Sequence, residues 1–224
     1  MPTVRLIDEI VIEHQGAQRR IQLFIGDLTA LPASEAVDLL VVSAFPGSYK
    51  PTRTSLIGAL DAVGVSVHHL ASDKAVDLRK VSSCWLSHEI RVPGIHFKRI
   101  LCFEPERPGR APELAGDIFR SLIPFAAGPA PVSKVAMPIV AAGDQGESRE
   151  VMLSCIIRAA IQWFSIGMPI ECIKIVDRDP AHESALKAVF DRVRRESGRR
   201  GSCPARSART RRARSPASAA APKA

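Results

Sequence analysis

No CxxC pair, no Walker-type GK(S/T), no Ser-His-Asp order and no asparagine occur in the sequence, and tyrosine occurs once, at Tyr49. The five cysteines (Cys84, Cys102, Cys155, Cys172, Cys203) are widely separated. An odd number without paired spacing argues against disulfides and zinc, and for buried thiols in a reducing compartment. Without the Walker pattern there is no P-loop signature, and the serine-hydrolase order is missing as well. No apolar run approaches ~18 residues, and the start MPTVRLIDEI lacks a basic-then-apolar leader pattern. These absences predict a soluble cytoplasmic protein with no membrane association.

Charge is also scarce where the total suggests otherwise. The formal net charge is +8, but residues 194–224 hold ten Lys/Arg against a single acid, Glu196, leaving 21 basic and 22 acidic residues before them. The body is therefore nearly neutral and gives a nucleic-acid reading no support. From about residue 197 the chain turns to Arg, Ser, Ala, Pro and Gly with almost no large apolar side chain. Such a composition does not bury enough surface to order itself. The expected organisation is a domain over 1–196 and a basic disordered tail over 197–224. The tail suits phosphate contacts but has no aromatic residue for base stacking. An abrupt shift of this kind is also what a frameshift in GC-rich DNA produces.

What is present is a 46% hydrophobic share, ample for a core. TVRLIDEIVIE (3–13) and IQLFIGDL (21–28) alternate as strands do and suggest a hairpin with a longer loop over HQGAQRR. VDLLVVSAF (37–45) is a continuous apolar run suited to a strand buried on both faces. SLIGALDAVG and HHLASDKAVDLR read as short helical pieces. KVSSCWLSHEI reads as an edge strand, FKRILCFE (97–104) as a strand, and ELAGDIFRSLIPFA (113–126) as a helix with Leu114, Ile118, Leu122 and Phe125 on one face. KVAMPIVAA (134–142) and IECIKIVDRD (170–179) are strands. SREVMLSCIIRAAIQWF (148–164) and HESALKAVFDRVRRE (182–196) are helices. Alternation of this kind predicts a three-layer α/β domain with a largely parallel sheet.

In an open α/β sheet, ligands bind beyond the carboxyl ends of the strands. Three strands end in suggestive sequence: GDLT (26–29), SAFPGSYKPTRTS (43–55) and AAGDQGES (141–148). GDLT suits a turn with Asp27 capping the next segment. The helix after the second loop starts near Ser55, offering free N–H groups and the positive dipole end, or simple capping by Thr54 or Ser55. In the third, Gly143 and Gly146 allow a turn into a helix or a close approach of backbone to phosphate. Adjacent His68 and His69 point apart and make a poor metal pair, and Cys84-Trp85 suits core packing.

Taken in order, FIGDLT (24–29), VDLLVVSAFPGSY (37–49) and VAMPIVAAGDQG (135–146) resemble the macro domain, the ADP-ribose-binding α/β fold, over roughly residues 20–180. The resemblance implies a three-layer α/β/α domain with a mixed, largely parallel sheet, and an ADP-ribose-like, even cyclic, nucleotide ligand. It implies that Asp27, beside Leu28, accepts a hydrogen bond from an adenine amino group. Ala142, Gly143, Asp144, Gln145 and Gly146 would wrap a diphosphate, and Ser43, Gly47 and Ser48 would close from the other side. Tyr49 would stack on a ring, form a lid or lie at the surface. No metal or cofactor is implied. Macro enzymes that remove ADP-ribose usually present an asparagine before a run of glycines, whereas here Ser43 and Phe45 stand at the corresponding places. The expectation is thus a binding module, a sensor beside nucleotide-generating or effector proteins. The alternatives are a hydrolase with Asp144 or Asp27 activating water, and a nucleic-acid-associated protein working through its tail.

Overall fold

The computed structural model describes residues 4–105, 110–128, 131–140, 142 and 148–201. β1 (Arg5–His14) and β2 (Ala17–Ile25) form an antiparallel hairpin. The hairpin loop is not long: both strands run through the polar segment to a two-residue turn at Gln15-Gly16, both with positive φ. That backbone matches strand twist and so lets the pairing continue to the turn. β3 (Val37–Ser43) follows, then the short helices α1 (Leu56–Ala62) and α2 (Val67–Leu70). The segment expected to continue as helix instead forms β4 (Lys74–Asp77). Its side chains are mostly exposed, so no apolar period marks it, and its form is set by pairing with the next strand.

After β4 come α3 (Arg79–Ser82), β5 (Cys84–Ser87), β6 (Phe97–Phe103) and α4 (Ala111–Ala126). β7 (Lys134–Pro138), α5 (Arg149–Ser165), β8 (Cys172–Asp177) and α6 (Glu183–Gly201) complete the described chain. β7 ends at Pro138, four residues short of the expected strand, where the missing N–H stops the ladder. The helix α6 continues past residue 196 to Gly201, and residues 202–224 lie outside the described residues. β5 is not an edge, because β4 covers it.

The eight strands form one sheet in the order β1-β2-β8-β7-β3-β6-β5-β4. The central five, from β2 to β6, are parallel, and antiparallel pairs flank them on both sides. Period-two alternation divides the core. In β3, Leu39 and Val41 face the cluster formed with α4, α5 and α6, while Leu40 and Val42 face the one formed with α1 and α2. The three-layer arrangement with a mixed, largely parallel sheet is thus present. Among the described residues no helix is long and apolar enough to cross a membrane.

Candidate functional site

A cavity of about 490 Å³ opens at the carboxyl ends of β2, β8, β7 and β3. Its floor begins at β2, where Gly26 donates its N–H to Asp177 O at 2.9 Å. A side chain at 26 is excluded: φ is +149° and a Cβ would lie 2.6 Å from Val4 Cα. Next to it, Asp27 Oδ1 accepts from the Thr29 N–H at 2.9 Å and the Thr29 hydroxyl at 2.7 Å, capping a short 3-10 turn. Asp27 Oδ2 makes no hydrogen bond to the described residues. The capping reading and a position on the cavity wall therefore coexist.

β8 supplies a part of the wall that the sequence reading missed. Asp177, 6% exposed, pairs with Arg149 Nε at 2.9 Å and His182 Nδ1 at 3.2 Å, and accepts the Asp179 N–H at 2.8 Å. One carboxylate thereby ties together the end of β8, the first turn of α5 and the turn that opens α6. A signal existed, because VDRDPAH also follows the carboxyl end of an apolar strand. Ser148 caps α5, accepting from the Val151 N–H at 3.4 Å. Lys50, Arg149 and Arg178 line the cavity together with Asp27, Asp177 and Asp179, so both signs of charge are present.

The far wall is the β3–α1 loop. Ser55 caps α1, accepting from the Gly58 N–H at 3.0 Å. Position 58 is held to glycine because a Cβ there would lie 1.9 Å from Thr52 O. Upstream, Ala44 N–H donates to Phe103 O at 3.0 Å and Ser48 N–H to Phe45 O at 2.9 Å, with Gly47 at φ +69° closing the turn. Beneath the turn sits Glu104, 2% exposed, which accepts from Gly47 N–H at 3.0 Å, Tyr49 OH at 2.6 Å and the Trp85 indole N–H.

Of the expected site residues, Asp27, Leu28, Ser43, Ser48 and Ala142 share this cavity. Tyr49 and Gly47 do not line it. The Tyr49 ring is buried edge-to-face against Trp85, 5.7 Å between centroids, and is neither at the surface nor a lid. Burial, then the hydrogen bond to Glu104, pushes its phenol pKa up. Gly47 faces a second hollow behind the turn, with Asp77, Arg79 and Lys80. Residues 143–146, including Asp144 and Gln145, lie outside the described residues.

Other chemistry is weakly provided for. Burial pushes the Cys84 and Cys172 thiols up to about 11 and Cys102 well above its usual value, so all three stay protonated. They are core residues, as is Trp85. Among the described residues no group of three or more His, Cys, Asp or Glu is arranged to hold a metal ion.

No protein-family model matches the chain, and no curated protein matches it by sequence. Solved structures do match by shape. The Oceanobacillus iheyensis macrodomain with MES bound superposes with a TM-score of 0.63 at 14% identity, covering 84% of this chain and 100% of that one. The same macrodomain with ADP gives 0.62 at 13% identity, covering 84% and 99%. The Trypanosoma brucei macrodomain in complex with ADP-ribose gives 0.55 at 16% identity, covering 75% and 68%.

Proposed function

From the premise that this chain has the macrodomain fold, we propose that its cavity binds ADP-ribose or a related nucleotide diphosphate. One observation carries the reading: Asp27, Leu28, Ser43, Ser48 and Ala142, taken from three separate strand ends, line a single cavity. In this reading Asp27 Oδ2 accepts the adenine amino group, and Ser43 and Ser48 lie on the opposite side. The diphosphate in this reading lies on the side of the cavity lined by Ala142. The start of α5 and the cations Arg149 and Lys50 favour negative charge there.

The same reading makes the protein a sensor and not a strong hydrolase. Ser43 and Phe45 stand where the resemblance puts asparagines, so neither place offers an asparagine amide. A bound nucleotide would then be read out by an effector or signalling partner. Titration of the full chain with ADP-ribose in a calorimeter is the deciding measurement. Saturable heat at micromolar ligand is expected, and none at millimolar ligand rejects the reading. Turnover of an ADP-ribosylated protein that disappears in Asp144→Ala would replace the sensor with an enzyme.

A further inference from the structure

Phe45 is the one aromatic among the exposed large hydrophobics of the described residues, with 55% of its surface open. The other exposed large hydrophobics are aliphatic, and none of them borders the cavity described above. Phe45 does border it. A phenyl ring left in water beside a cavity gains when an apolar or aromatic ligand group covers it.

The turn carrying this ring is built to stay in place. It is tied to β6 through Ala44 and closed on itself through Ser48. From below it is held by Glu104, which takes one donor from the turn's tip, Gly47 N–H, and one from its end, Tyr49 OH. The third donor to Glu104, the Trp85 indole, belongs to the rigid core strand β5. All three donors converge on this one buried side chain, and each is paired there. The loop is thus pre-organised, and little ordering entropy is lost when a ligand meets it.

Distance identifies what meets it. Asp27 stands at the end of β2 and Phe45 just past the end of β3, with β8 and β7 between them. Three inter-strand gaps span about 14 Å. In the proposed binding mode a nucleoside anchored at Asp27 runs its diphosphate across the middle strands, which brings the group attached beyond it to the β3 end, where Phe45 stands. A heteroaromatic ring there offers a planar π face, which a ribose lacks.

Resting on the proposed nucleotide binding, we infer that Phe45 is the specificity-determining residue of the cavity and stacks on a heteroaromatic ring beyond the diphosphate. The preferred ligand class is a dinucleoside diphosphate, and Glu104 is the positioning residue that holds the ring in register.

Calorimetric titration of the full chain with ADP, ADP-ribose and diadenosine diphosphate tests this. Diadenosine diphosphate is expected to bind about tenfold tighter than ADP-ribose, a gain typical of one base–aromatic stack. Phe45→Ala should weaken diadenosine diphosphate about tenfold more than it weakens ADP, and Phe45→Trp should restore the preference. Tyr49→Phe, which loosens the clamp, should narrow the preference in the same direction. A merely structural role for the clamp would weaken every ligand equally, and that result would remove Glu104 from the inference. If ADP itself gives no heat at millimolar concentration, the nucleotide reading falls and this one with it. If ADP binds while diadenosine diphosphate is no tighter than ADP-ribose, or while Phe45→Ala leaves their ratio intact, only the ring-stacking inference is overturned.

Discussion

Asp27 carries two tasks with its two oxygens. Oδ1 holds the Thr29 N–H and hydroxyl, and in the proposed binding mode Oδ2 meets the ligand. Asp27→Ala should therefore cost about 1 kcal/mol of stability through the lost cap. It should also weaken ADP-ribose binding at least about tenfold, the cost of removing a charged acceptor. Urea unfolding and calorimetry on the same preparation separate the two effects. Asp27 was legible in sequence because a strand, a glycine and a capping acid stand side by side. Glu104 was not, since its partners lie 19, 55 and 57 positions away and FKRILCFE shows only a strand. The buried position of Tyr49 is hidden in the sequence for the same reason. Nothing local says that a lone tyrosine in a polar loop turns inward to a buried acid.

At the level of elements, the buried strands and long helices could be read directly. Central parallel strands are covered on both faces and so appear as unbroken apolar runs, as in VDLLVV. Exposed elements could not be read this way: β4 owes its form to β5, and the hairpin turn is decided by two residues within a polar run. The β3–α1 connection depends on Gly58, whose hydrogen faces the Thr52 carbonyl. Gly58→Ala should force the loop and helix apart, at a cost of about 1–3 kcal/mol. Denaturant melts should show the loss, although alanine is the better helix former.

Across the whole molecule, a single acid joins three strands at their amino-terminal ends, opposite the cavity. Asp38 accepts from Lys98 Nζ at 2.6 Å and from the Ser133 and Lys134 N–H groups at 3.0 Å each. Burial pushes its pKa up, but the hydrogen bonds from Lys98, Lys134 and Ser133 outweigh it and hold the carboxyl below its usual value. A folded-state pKa below the unfolded one gives stability that is complete above the unfolded value and lost as pH falls through the folded one. Stability should therefore drop as pH falls below about 4. Asp38→Asn should lose about 1–2 kcal/mol at neutral pH and show a shallower acid slope, read from urea midpoints across pH.

The Asp177 junction also bears on motion. A buried carboxylate that fastens the end of β8, the first turn of α5 and the entry to α6 makes it costly for any one of them to open alone. Their amides should exchange with solvent as one cooperative unit, with a common opening free energy. ADP-ribose should slow all three together, including amides in α6 that never touch it. Mass-resolved exchange of the full chain with and without ligand would show this, and protection confined to the cavity rim would mean that the three segments move independently.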